Sequence, residues 1–276
     1  MAAADYGDYF FHYTTREAAF GHILPTRKLR MSPYSAMRDP LENKKWLFPG
    51  SYSVADDIPD GHPEHPETAG QEFDAAANEI RDSAKLLSLT IDAEGLRGRA
   101  ELFGRGWARA RMWEQYAEDH AGVCLRFKRE ELTARITESL ITQRLASPYH
   151  RPVEYTDEGS GGGLPLNLNE IVGKVDGEFV RQFVQQHHVR LFFRKTIDWE
   201  SEHEYRFVVT TPEMEYVYVD FGDALDVVAV GENCPRWQWP AVVEACQGLN
   251  AEPLRVEWST GAPRAWRLRQ AEAAHS

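Results

Sequence analysis

Between Trp199 and Val209 the chain reads Trp-Glu-Ser-Glu-His-Glu-Tyr-Arg-Phe-Val-Val, so Glu200, Glu202, Glu204 and Arg206 fall in one register and Tyr205, Phe207 and Val209 in the other. Side chains on a strand point to opposite faces with period two, and the spacing therefore predicts one strand whose aromatic and aliphatic row is buried and whose charged row is wet. A carboxylate held on a rigid strand stabilises a developing positive charge, and a second one can deprotonate or orient an incoming group. Arg206 could hold a glutamate in place or bind a phosphate. The same residues could equally make a solvated ion-pair ladder with no chemistry.

Other elements must position these groups. Tyr9 to Tyr13 is an aromatic, strand-like run carrying His12 near its end, where an imidazole can face a cleft. Thr14-Thr15-Arg16-Glu17 has capping-box spacing and predicts a helix to about Leu24, ended by Pro25, with a second strand over 28–32. The stretch 32–42 is non-periodic and reads as a structured loop holding Tyr34, Arg38 and Asp39-Pro40. Helices are predicted over 72–85, 128–139 and 169–195, the last with Val172, Val175, Phe179, Phe183 and Val189 as its buried stripe. An aromatic helix carries Trp113 and Tyr116 three residues apart, behind the basic cluster Arg105, Arg109 and Arg111, the best candidate for holding a phosphate. The run 215–219 is expected to pair with 205–209, and the last part reads strand, helix, strand over 225–231, 239–246 and 254–258.

These elements predict one α+β domain over 1–276, a mainly antiparallel sheet flanked by helices, with flexible loops at 50–70 and 157–164. A formal charge of -12 argues against a dedicated nucleic-acid binder, leaving nucleic acid only the local patch Arg105, Arg109 and Arg111. Proline punctuation keeps His62 and His65 off a helix, so no metal is expected there, and Gly159 to Gly163 lacks dinucleotide-fingerprint spacing. Cys124, Cys234 and Cys246 form no disulfide framework, and neither a signal peptide nor a membrane span is evident. A soluble, cytoplasmic protein is the expectation.

Several blocks together resemble the bacterial family DUF2971, a domain of unknown function: Phe11-His12-Tyr13-Thr14-Thr15, Arg38-Asp39-Pro40-Leu41-Glu42, Met112-Trp113-x-x-Tyr116, His120-x-Gly122-Val123-Cys124, Trp199-x-x-Glu202-x-Glu204-Tyr205-Arg206 and Val227 to Gly231. The chain departs from that pattern at Arg38, where relatives carry Asn. The layout of an opening strand with His-x-Thr, a short helix, a second strand and a late strand bearing Glu also resembles ADP-ribosyltransferases of the diphtheria-toxin and poly(ADP-ribose) polymerase type. That resemblance implies a split sheet and NAD as co-substrate without a metal. It implies ribose contacts from His12 and Thr14 beside Tyr13, and nicotinamide stacking on Tyr34 or Tyr116, with Trp113 and Arg38 also at the cofactor. The catalytic group would be Glu204 or Glu202, with Arg206. Transfer of ADP-ribose to an unknown acceptor, in bacterial defence or toxin-like modification, is the expected activity. An NAD glycohydrolase and a non-catalytic binding or regulatory domain are the alternatives.

Overall fold

A computed structural model describes residues 7–37, 39, 42, 50–51, 66–93, 99–157, 164, 166–167 and 177–269. The strands are β1 (Tyr9–Thr14), β2 (Lys28–Pro33), β3 (Gly50–Ser51), β4 (Ala84–Thr90), β5 (Val123–Lys128), β6 (Tyr149–Pro152), β7 (Glu154–Thr156), β8 (Leu166–Asn167), β9 (Arg194–Thr196), β10 (Glu204–Thr210), β11 (Val217–Asp220), β12 (Leu225–Val230), β13 (Glu252–Ser259) and β14 (Ala262–Arg267). Ten of them form one sheet in the order β11-β2-β4-β1-β5-β12-β13-β14, with β10 on β4 and β6 on β10. Every pairing in that sheet is antiparallel except β12 with β13. β3 with β8 and β7 with β9 make two small parallel pairs. The fold is thus α+β, and among the described residues no helix is long and apolar enough to cross a membrane.

The helices used below are α1 (Pro66–Ser83), α2 (Arg99–Phe103), α3 (Ala110–Tyr116), α4 (Arg129–Thr142), α5 (Gly177–Phe192) and α6 (Trp239–Leu249). The earlier segment 16–26 is helical with a π turn over Ala19–Ile23, and its cap is Thr15, whose hydroxyl accepts from the Ala18 N–H. α1 begins at Pro66, well before the predicted start near 72. α5 buries Phe183 as predicted, with Phe179 partly buried against the same cluster, but adds Val180, Val184 and Leu191 and leaves Val189 half-buried, while Val172 and Val175 lie outside the described residues.

Alternation along the strands divides the interior. Phe10, Leu87, Leu89, Leu125, Phe127, Tyr205, Phe207 and Val209 point to one face, where α4 and α6 cover them in the largest apolar cluster. The opposite face carries two smaller clusters. Leu86 and Val208 pack with Ile80 of α1 and with Phe183 and Val184 of α5, whereas Phe11, Tyr13, Cys124, Val227 and Ala229 pack with Met112 and Trp113 of α3. Between those two clusters, on the same face, stand Ser88, Glu204 and Arg206.

The pairing of β4 makes a fork at that place. One edge of β4 pairs with β10 along its full length, from Ala84 to Thr90. The other edge is shared: β2 pairs only at Lys85 and Leu86, and β1 only at Thr90. Leu87, Ser88 and Leu89 therefore have no register partner on that edge among the described residues. β10 in turn is flanked by β4 and β6, so both its edges are taken. The expected pairing of 215–219 with 205–209 is excluded for that reason, and β11 pairs with β2 instead.

A tight junction ties α3 to the sheet. Glu118, Asp119 and His120 have positive φ of 48, 50 and 63°. Asn233 holds the last two of their carbonyls, its backbone N–H donating to His120 O and its Nδ2 to Asp119 O, both at 2.9 Å. Non-glycine residues in the left-handed region cost about 1–3 kcal/mol each and persist only where the surroundings over-determine them. A Cβ on Gly231 would lie 2.1 Å from the His120 carbonyl oxygen. Gly231→Ala is expected to destabilise the protein by about 1–3 kcal/mol, since neither backbone can yield; a urea midpoint equal to wild type would refute that.

Candidate functional site

The fork opens into a cavity of about 260 Å³. Its walls include His12 and Tyr13 of β1, Ser88 and Thr90 of β4, Tyr116 of α3, and the charged groups Lys195, Glu202, Glu204, Arg206, Asp39 and Glu42. His12, Tyr116 and both glutamates, far apart in the chain, thus meet at one place.

The charged row is not wet. Glu202, Glu204 and Arg206 are 4%, 5% and 0% exposed, because α1, α5 and α3 cover the face that the alternation assigned to solvent. Glu200 is exposed and outside the cavity. Nor is 199–209 one strand: Ile197–Glu202 is a 3-10 helix, His203 takes a left-handed conformation with φ 45°, and β10 starts at Glu204. The break brings both carboxylates within reach of one ammonium. Lys195 Nζ donates to Glu202 Oε2 at 2.8 Å and to Glu204 Oε2 at 3.2 Å. Its Nζ also lies 4.5 Å from the centre of the Trp199 ring.

Arg206 fixes the other side of Glu204. Its Nε donates to Oε1 at 2.7 Å and its Nη2 to Oε2 at 3.0 Å, a bidentate pair. Its Nη1 donates to the Phe192 carbonyl and pairs with Glu42 Oε1, both at 2.6 Å. Burial would push the Glu204 carboxyl up, but the charges of Arg206 and Lys195 outweigh it and hold it well below the ordinary range. Glu42 goes the other way, raised chiefly by burial. Tyr116 donates its hydroxyl to Glu202 Oε1 at 2.6 Å, and the Tyr155 hydroxyl accepts the Glu204 N–H at 2.8 Å.

Not every expected site residue reaches the cavity. Thr14 ends β1 opposite Val123 and does not line it. Trp113 is fully buried beneath α3, its indole N–H donating to the Trp107 carbonyl, so it is core rather than a stacking platform. Tyr34 is likewise buried, with its hydroxyl 3.2 Å from Glu42 Oε1 and from the Leu191 carbonyl. Arg38, His62 and His65 lie outside the described residues. The basic cluster is engaged in holding segments together: Arg105 contacts Asp92, Arg109 donates to the carbonyls of Ile91, Gly104 and Ser201, and Arg111 to Ser201 Oγ. Arg109 and Arg111 thereby anchor the turn that carries Glu202.

Lys195, Glu42 and Ser88 were not singled out by spacing. Lys195 had a signal in charge balance alone: a buried row with more carboxylates than arginines needs another cation. Residues 112–207 match the model of a family described as Protein of unknown function (DUF2971). This stretch is similar to DUF2971. The matched segment contains Tyr116, Lys195, Glu202, Glu204 and Arg206, whereas His12, Glu42 and Ser88 lie outside it. No curated protein and no solved structure matches the chain.

Removing one member of a buried ion pair leaves its partner uncompensated, at about 3–5 kcal/mol. Lys195→Met should lose that much in chemical denaturation, against less than about 0.5 kcal/mol for exposed Glu200→Ala; equal losses would refute the network's role. Burial also lowers His12 to about 4, with a hydrogen bond to the Ser88 backbone opposing it, and burial with Arg109 lowers His203 to about 4. Between the ordinary 6.5 and about 4 the native state therefore binds fewer protons than the unfolded chain, so stability rises with pH across that window. Denaturation at several pH values should show this rise, flattened in part by His12→Gln; an unchanged slope would count against it.

Proposed function

We propose that this cavity binds the nicotinamide end of NAD and breaks its glycosidic bond, passing ADP-ribose to an acceptor. The observation that carries the reading is the convergence of His12, Tyr116 and the Glu202/Glu204 pair in the fork of the sheet. At about 260 Å³ the cavity lies just under the roughly 300 Å³ at which pockets enclose drug-sized ligands, so it suits a ring and its sugar, with the adenylate outside.

Each wall has a task in that reaction. Tyr116 offers a flat ring edge for the departing nicotinamide, and His12, neutral at physiological pH, hydrogen-bonds a ribose hydroxyl. The bond from ribose C1′ to the pyridinium nitrogen breaks with its electron pair leaving on nicotinamide. The resulting oxocarbenium-like centre is stabilised by a fixed carboxylate, as in glycoside hydrolysis. An acceptor oxygen or nitrogen then bonds to C1′ and gives up its proton to a carboxylate or to solvent. With water as acceptor the same steps make an NAD glycohydrolase.

A non-catalytic binding domain is the competing reading, favoured by the burial of the charged network, which would then serve as a scaffold. Incubation with NAD separates them. Wild type is expected to release nicotinamide, Glu200→Ala to match it, and His12→Ala to release it at least about tenfold more slowly. Failure of wild type to release nicotinamide, with protein, nucleic acid and small-molecule acceptors each supplied, would overturn the proposal.

A further inference from the structure

The two cavity glutamates differ in how much acceptor capacity their partners leave. A carboxylate offers about four lone-pair positions. Glu204 accepts two hydrogen bonds from Arg206, at 2.7 and 3.0 Å, and one from Lys195 at 3.2 Å, with the Ser88 hydroxyl as a further donor. Its capacity is used. Glu202 accepts from Tyr116 on Oε1 and from Lys195 on Oε2, at 2.6 and 2.8 Å, and has no other hydrogen bond among the described residues. It retains room for about two more donors.

Backbone geometry separates them in the same sense. Glu204 is the first residue of β10, its N–H held by the Tyr155 hydroxyl and its register fixed opposite Thr90. Glu202 ends a 3-10 helix, with a left-handed residue between it and the strand, and its turn is tied to α3 through Arg109, Arg111 and Tyr116.

From this we infer that Glu202 is the carboxylate that meets the ribose of the substrate, and that Glu204 is a positioning residue. Glu204 fixes Lys195 and Arg206, Lys195 fixes Glu202, and Tyr116 orients the second oxygen. A ribose hydroxyl donates to a free lone pair of Glu202, whose charge faces C1′ as the bond to nicotinamide breaks. The assignment rests on the NAD-cleaving reading above and chooses between the two glutamates that the ADP-ribosyltransferase resemblance leaves open.

Chemical rescue tests it. Glu202→Ala is expected to lower turnover at least about 10²-fold and to lower the melting temperature less than Glu204→Ala does, because Lys195 keeps Glu204 as its counter-ion. Formate, a carboxylate small enough for the vacated space, should restore that turnover in proportion to its concentration. Glu204→Ala should lower the melting temperature markedly, and formate should not restore its turnover. Absence of rescue for a folded Glu202→Ala overturns the assignment even if Glu204→Ala does not fold, as does formate rescue of Glu204→Ala alone. If wild type releases no nicotinamide at all, the NAD reading falls and this assignment with it. Release by wild type with the rescue pattern inverted sinks only the assignment.

Discussion

Arg206 sets the terms for everything around it. A guanidinium with no exposure to solvent survives only where carboxylates and carbonyls replace its hydration, since an uncompensated buried charge costs several kcal/mol. Glu204, Glu42 and the Phe192 carbonyl do this, and they come from β10, from position 42 after β2 and from the end of α5. Three distant segments are thereby drawn to one point. Lys195 then balances the second carboxylate and carries the network to Glu202 and Tyr116.

The sheet makes room for that network by failing to close. If β1 and β2 lay along β4 in one continuous ladder, Ser88 would be paired and the space in front of it filled. Instead the two strands diverge, each touching β4 at one end only. The two apolar clusters on that face stop on either side, and the polar groups occupy the seam between them. A low-dielectric surround on both sides strengthens every electrostatic contact inside.

Much of the fold was legible in residue patterns. The alternation of Tyr205, Phe207 and Val209 against Glu204 and Arg206 is present as expected, and the strand, helix, strand order at the end of the described chain holds as β12, α6 and β13. What failed were judgements about partners. Glu204 and Arg206 look wet from their own strand because nothing in 199–209 says that α1, α5 and α3 will cover them. The run at 217–220 seemed suited to β10, but only the full set of pairings reveals that β6 already holds that edge. Trp113 and Tyr116, grouped by spacing, do lie only about 60° apart around α3, so Trp113 faces the core while Tyr116, at the edge of the same apolar cluster, also reaches the cavity.

The sequence by itself determined which residues could share a face and which block patterns travel together, because periodicity and local capping act over a few residues. The resemblance to DUF2971 belongs to the same level. Only the tertiary structure decided that the charged row is buried, that Lys195 and Glu42 complete it, and that His12 stands across a forked sheet from Glu202 and Glu204. Those facts depend on contacts between segments more than a hundred residues apart, such as Arg206 and Glu42, and a buried charge chooses its partners by proximity in space rather than along the chain.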